Sequence, residues 1–234
     1  MDEGRTIMNK FQSKNVIDKK NYICYIFPEW IFIQEEMFLK NVEKRDAILQ
    51  AAMELIAEHG FHEAPMSMIA DKAGVGTGTI YSYFENKDGL IQHLFSELRE
   101  RIMAHLHEGY SAERSLHERY IHLKTKLIKY CIENPMHFRF MEQYMNSPYG
   151  VTVRREKLFR ESIDESDIFQ TLFDQGVAQK ILKDFPLPVY FALSFGPMLS
   201  LTRDHVLGFI TLDEKMIDDF VEACWEGIKA PDKH

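Results

Sequence analysis

From Val42 onward, apolar residues recur three and four positions apart, the spacing that places side chains on one face of an α-helix. Ile48, Ala52, Leu55, Ile56 and His59 share a face of a first helix that runs to Gly60, where a glycine is expected just past a helix end. Pro65 stands where the next helix begins, a place where its missing N–H costs nothing. Met66, Ile69, Ala70 and Ala73 form the inward stripe of that helix, and Gly74 closes it. After a tight turn a third short helix is predicted over Thr77 to Tyr83, and Leu90, Leu94, Leu98 and Ile102 mark a fourth.

Beyond Ser111 the helices lengthen. Leu116, Tyr120, Leu123, Leu127 and Cys131 give one that ends at Glu133 to Pro135. Phe138, Met141, Tyr144 and Met145 give another, stopped by Pro148 and Gly150. After a charged stretch, Arg154 to Glu165, a helix carries Ile168, Leu172 and Phe173 and ends near Gly176. Pro186 and Pro188 precede a helix through Leu193 and Leu199, and Met216, Phe220, Cys224 and Ile228 lie on the last. Pro197, inside a predicted helix, removes a backbone hydrogen bond and opens a kink, which either makes room for a ligand or curves the helix around the core.

No alternating strand pattern or internal repeat is found, so the fold class is all-α. A three-helix head at 41–90 precedes a larger helical body at 91–231, and the helix from about 88 to 107 links them. Residues 1–40 read differently. The run Tyr22 to Ile33 is apolar but too short for a membrane span and is interrupted by Pro28 and Glu29. Met37 looks like a natural start, which makes the preceding residues either an upstream extension or a real N-terminal arm.

Cys24, Cys131 and Cys224 are odd in number and show no metal-ligand spacing, which suggests reduced thiols and a cytoplasmic setting. No catalytic constellation is legible, and neither the pair His105 and His107 nor the pair His117 and His122 has the spacing of a helical chelate. The expectation is a protein with no enzyme activity, no metal, no cofactor and no membrane span. The net charge of −8 weighs against strong nucleic-acid binding, because affinity comes largely from Lys and Arg neutralising phosphates. In the head, Lys44, Arg45, Lys72 and Lys87 are scattered among Glu54, Glu58, Glu63 and Asp71.

The chemistry of Ala73 to Leu90 nevertheless points to DNA. Two short helices joined by a glycine-containing turn, with a longer helix before them, make a helix-turn-helix whose second short helix lies in the major groove. Val75 and Ile80 point into the head core, leaving Thr77, Gly78, Thr79, Tyr81 and Tyr83 outward. Threonine offers a hydroxyl and a methyl to bases and phosphates, glycine allows close approach, and tyrosine reaches phosphate. Lys87 and the free N–H groups of the fourth helix supply an anion site.

The segment Lys44 to Leu90, with "GF" after helix one, then "IADKAGV" and "GTIYSYFENKDGL", resembles the DNA-binding domain of the TetR family of bacterial repressors. The resemblance matches Thr77, Gly78, Thr79, Tyr81 and Tyr83 to the recognition helix, Lys87 to a phosphate-binding lysine and Ser67 to a position that can touch DNA. Two departures stand out: the family often has serine where Gly76 stands and threonine near Ala64, both able to cap a helix.

The resemblance implies a homodimer that binds a palindromic double-stranded DNA operator, acts as a repressor, and is released by a small-molecule effector held in the body. For the pocket the candidates are Phe138, Met141, Tyr144, Met145, Phe169, Phe173, Phe195 and Met198, a concentration of adaptable apolar side chains, although a stripe of this kind is more often plain core. An apolar pocket favours a hydrophobic or amphipathic effector. For the dimer interface they are Leu199, Phe220, Cys224, Trp225 and Ile228. The alternative is a helical interaction or metal-sensing protein whose head does not bind DNA specifically.

Overall fold

The computed structural model describes residues 28–159 and 167–231, with side chains described for 40–156 and 167–231. Part of the Tyr22 to Ile33 run, Cys24 and part of the charged stretch before Glu165 lie outside the described residues. All regular structure among the described residues is helical; the single β-bridge joins Leu182 and Lys229. The chain divides at Ala47, within the first helix, and everything from Ile48 onward belongs to one compact unit.

Helix α1 spans Pro28–His59, starting well upstream of Val42. Its Ile48, Ala52 and Ile56 are fully buried, but His59 is exposed. That is a correction to the expected inward stripe: His59 sits in the last turn, where an imidazole favours the carbonyl end of the helix. Helix α2 (Met66–Lys72) ends on Gly74 at φ +67°, with the Gly74 N–H donating to the Asp71 carbonyl and the Val75 N–H to Ala70. This paired closure needs a left-handed residue, which explains the glycine. Helix α3 (Thr77–Tyr83) follows. As the missing Ser and Thr suggest, neither α2 nor α3 has a side-chain N-cap; Pro65 and Gly76 occupy those positions.

Helix α4 (Lys87–His107) is shared by two cores. Leu90, Ile91, Leu94 and Leu98 are buried in the head cluster, whereas Leu106 belongs to the body cluster. The body begins with α5 (Leu116–Glu133), opened by a capping box in which the Ser115 side chain meets the Glu118 N–H and the Glu118 side chain returns to Ser115. Helices α6 (Pro135–Met145) and α7 (Pro148–Phe159) each start on a proline, and α8 (Ile168–Ala178) is capped by Asp167.

The next rod is continuous but changes register: α9 (Leu187–Tyr190), a π-turn over Phe191–Phe195, then α10 (Gly196–Val206). Proline at 197 has no N–H to offer the carbonyl four residues back, and the wider π-turn just before it absorbs that loss. Helix α11 (Glu214–Ile228), capped by Asp213, packs its Ile217, Val221, Cys224, Trp225 and Ile228 face inward. Its C-terminus is pinned to the loop after α8 by Lys183 N–H to the Ile228 carbonyl (2.9 Å) and Ala230 N–H to Ile181 (2.8 Å).

The turn at Gly74 generates a stability prediction. Gly74→Ala forces a side chain into the left-handed region although space is available around it, so it lowers unfolding free energy by on the order of 1 kcal/mol, read by urea denaturation.

Candidate nucleic-acid interface

The head presents α3 on a small scaffold. Ile80 is its only fully buried residue and anchors the helix; Val75 and Tyr83 pack partly against the same core. Thr77, Gly78 and Tyr81 are exposed, Tyr81 by 51%, and Thr79 is half-buried. Ser67, on α2, is exposed as well. Tyr83 departs from the outward placement expected of it: it is half-buried, with its ring tilted against Phe84. The helix period explains this, because Tyr83 lies three residues beyond Ile80 and shares its inward side.

Gly78 is the most informative residue of α3. A Cβ there would meet nothing within 4 Å, so the fold itself has no need of glycine. Glycine inside a helix costs roughly 0.5–1 kcal/mol relative to alanine, and a helix of seven residues bears that cost poorly. Close approach by something outside the protomer is a reason to keep the surface bare at that point.

Lys87 is engaged within the head. Its Nζ donates to the Phe61 carbonyl, and partial burial lowers its pKa from the ordinary lysine value. This ties the start of α4 to the loop after α1 while keeping the ammonium at the edge of the head. The anion site expected from the free N–H groups of α4 is partly filled from within. Asn86 Oδ1 accepts the Gly89 N–H at 2.8 Å, and Asp88, in the first turn, holds the Tyr149 hydroxyl. Lys72 is paired with Glu54 at 2.9 Å; the Glu54 carboxyl is held below its usual range first by the Gln50 amide and then by Lys72. Among the described residues, Lys72 and Lys87 beside α3 are both engaged within the protein, so affinity for DNA draws on fit as well as on phosphate neutralisation.

The eight pocket candidates do not gather in one place. Tyr144 is buried in the head cluster, with Met141 and Met145 packed on it, and Phe138 sits in a third cluster beside Tyr130 and Cys131. Phe169, Phe173, Phe195 and Met198 do come together, in the body cluster. The difference arises because α6 turns its apolar face toward the head. Among the described residues, one open groove of about 330 Å³ lies between Arg114, His117, His122 and Glu222, away from all eight, and another of about 290 Å³ lies between Glu142, Arg203, Leu207 and a single candidate, Phe138.

The interface candidates also divide. Cys224, Trp225 and Ile228 are buried in their own protomer's core, so they are unavailable to a second chain; Leu199 is exposed and Phe220 half-buried. The exposed apolar residues of this end are Leu193, Leu199, Leu207, Phe209 at 74% and Met216. The sequence reading missed Lys124, which is fully buried in the body. The signal was present, since Lys124 lies one turn beyond Tyr120 on the stripe that defines α5. Among the described residues no group of acidic, His or Cys side chains is arranged to hold a metal, and no helix is long and apolar enough to cross a membrane.

Comparison with known proteins matches both parts of this architecture. A family profile described as "Bacterial regulatory proteins, tetR family" matches residues 48–94, and one described as "Tetracyclin repressor-like, C-terminal domain" matches 115–229. The chain is similar to a TetR-family putative transcriptional regulator of known structure from Vibrio parahaemolyticus, at 30% identity and TM-score 0.63, over 82% of this chain and 99% of that one. An uncharacterised HTH-type transcriptional regulator of Haemophilus influenzae is 24% identical over 79% of this chain and 95% of its own length. A fatty acid metabolism regulator protein of Bacillus subtilis is 39% identical, but over only 31% of this chain and 37% of its own length.

The bare surface at Gly78 separates stability from binding. Gly78→Ala is expected to leave unfolding free energy unchanged or raise it by about 0.5–1 kcal/mol, while affinity for a selected DNA site falls at least about tenfold, a loss of ~1.4 kcal/mol. Denaturation and fluorescence anisotropy on the same preparation check both halves.

Proposed function

The chain belongs to the TetR family of bacterial transcriptional regulators, and from that premise we propose that it is a cytoplasmic repressor that binds a palindromic operator as a homodimer and leaves it when a small apolar or amphipathic effector enters the body. The observation that carries the DNA-binding half is the exposed row Thr77, Gly78 and Tyr81 on α3, anchored from beneath by Ile80. In this reading Thr77, Gly78, Thr79 and Tyr81 meet base edges or phosphates, Ser67 and Lys87 meet phosphates, and Tyr83 positions the helix from its half-buried site. The head at 41–90 reads DNA and the body at 91–231 takes up the effector and the second protomer.

Dimerisation is supported by the apolar surface left on the last helices. On α11, Met216, Phe220, Ala223 and Gly227 recur at spacings of four, three and four, which lines them up on one face beside the buried stripe. Small residues at Ala223 and Gly227 allow close approach of a partner helix, and a Cβ at Gly227 would meet nothing within 4 Å. Leu193, Leu199 and Leu207 lie on the neighbouring rod. Two-fold pairing of such faces brings two heads to successive major grooves, about 34–36 Å apart.

The similarity to the fatty acid metabolism regulator covers only 31% of this chain and so does not identify the effector. The second reading, a protein adaptor with a helix-turn-helix head, draws on the acidic net charge of −8.

Selection of bound fragments from a random DNA pool, repeated at two salt concentrations, tests the proposal. A palindromic motif is expected, with Thr77→Ala and Thr79→Ala changing the preferred sequence and Lys87→Ala weakening all sequences about equally. No enrichment by folded, dimeric protein contradicts it. Met216→Glu with Phe220→Glu is expected to give folded monomer by sedimentation and to reduce operator affinity by at least about a hundredfold, ~2.7 kcal/mol.

A further inference from the structure

The body core contains a buried lysine that, among the described residues, has no counter-charge. Lys124, fully buried, donates from Nζ to the Ser194 carbonyl at 2.7 Å, lies 3.3 Å from the Met198 Sδ, and stands 3.9 Å from the centre of the Phe195 ring. Among the described residues no carboxylate pairs with it. A buried ammonium held only by a carbonyl, a thioether and a ring face is costly, because none of these replaces its lost hydration in full. Methionine at 124 would fill the same space without that cost.

Further buried polar groups lie on the two elements that hold it, α5 and the rod of α9 and α10. The Tyr120 hydroxyl, one turn before Lys124 on α5, shares a hydrogen bond with Ser194 Oγ at 2.8 Å, inside the core. Thr202 lies one turn beyond Met198 on α10; it is 1% exposed and its hydroxyl has no hydrogen-bond partner. Lys124, Tyr120 and Ser194 meet at the π-turn, where the rod has already left regular helical register and where such turns often serve ligands, and Thr202 lies further along the same rod. The walls are Phe169 and Phe195, edge to face at 4.8 Å, with Met198, whose flexible side chain repacks readily.

We propose that Lys124 is the anion-recognition residue of an effector site in the body, and that the ligand class is a carboxylate carried on an apolar chain or ring. The carboxylate takes the ammonium from the Ser194 carbonyl and accepts a hydrogen bond from Thr202, while the apolar part replaces the contacts of Phe195 and Met198. Ser194 belongs to the π-turn, so loss of the Lys124 bond loosens the same rod that carries Leu193, Leu199 and Leu207. The inference rests on the ligand-release reading above and specifies the chemistry of its effector.

The groups facing Lys124 are Tyr120 and Cys131 on its own helix and Cys224 from α11. Burial raises all three, Cys131 to about 12, so each favours its neutral form. Burial lowers Lys124 to about 7. Below that value the ammonium is ready for a carboxylate; above it, binding has to take up a proton, so affinity falls as pH rises through it.

The test is calorimetric titration of the full-length protein with dodecanoate, with dodecan-1-ol of equal chain length, and with 4-phenylbutanoate, at pH 6 and pH 8.5, beside operator release by each. The proposal expects a carboxylate to bind at least tenfold more tightly than the alcohol, more weakly at pH 8.5, and at least tenfold more weakly to Lys124→Met. Dodecanoate above 4-phenylbutanoate assigns an alkyl, lipid-derived ligand, and the reverse order an aryl acid. Equal binding of acid and alcohol, unchanged binding to Lys124→Met, or no binding of any carboxylate to folded dimer overturns it. If Lys124→Met fails to fold, Thr202→Val takes its place, with at least a threefold loss for the carboxylate alone expected and no loss overturning the proposal. Carboxylate binding that leaves operator occupancy unchanged sustains the Lys124 site and contradicts the ligand-release reading instead.

Discussion

The head does not complete its own core. Phe95 of α4 stacks on Tyr144 of α6 with ring centres 3.9 Å apart and planes within 3°, and Phe61, after α1, packs edge-on against Phe140 and Tyr149. Phe140 is fully buried in the same cluster as Ile56, Ile69, Ile80 and Leu90. Two body helices thus close the apolar interior of the DNA-reading domain. Aromatic contacts of this kind add about 0.5–1.5 kcal/mol each beyond area burial, and close-packed interiors transmit displacement instead of absorbing it. In the release proposed above, this joint is the place where a shift of α6 would be passed to α3.

The route from the body to that joint is short. Arg203 of α10 donates to Glu142 of α6, with Nε at 2.9 Å, so the rod containing the π-turn is fastened to the helix that closes the head. The same rod holds Ser194 against Lys124 on one side and exposes Leu193, Leu199 and Leu207 on the other. One element thereby touches the buried charge, the surface proposed for the second protomer, and the head joint. An ammonium kept at such a place at a cost to stability is better explained by a task than by packing.

Much of this was legible in the residue pattern. The helical period located the body helices except α7 (Pro148–Phe159), where Pro148 and Gly150 were read as a stop although proline is tolerated in a first helical turn, and the glycine at 74, the apolar anchor at Ile80 and the outward row Thr77, Gly78 and Tyr81 came directly from local rules of helix ends and periodicity. What stayed hidden was tertiary. Tyr144, Met141 and Met145 fit either pocket or core by their pattern, because a stripe says which face is apolar and not which neighbour it meets. Cys224, Trp225 and Ile228 were assigned to a partner chain when α11 needed them against α5 of its own protomer. Lys124 escaped notice because a lysine within an apolar stripe is ordinarily taken to reach for solvent along its own stem. Pro197 was recognised as a break, but the π-turn that accommodates it depends on the packing around Ser194.

The central claim is that two such heads, each held by its aromatic joint, present α3 at the spacing of successive major grooves. Pulsed electron resonance between spin labels at Glu85→Cys in the two protomers, bound to a selected operator fragment, measures this directly. The account predicts one narrow distance distribution near one turn of B-DNA, ~34–36 Å apart from the label arms. A broad distribution, or no dipolar coupling because one chain binds alone, would contradict it.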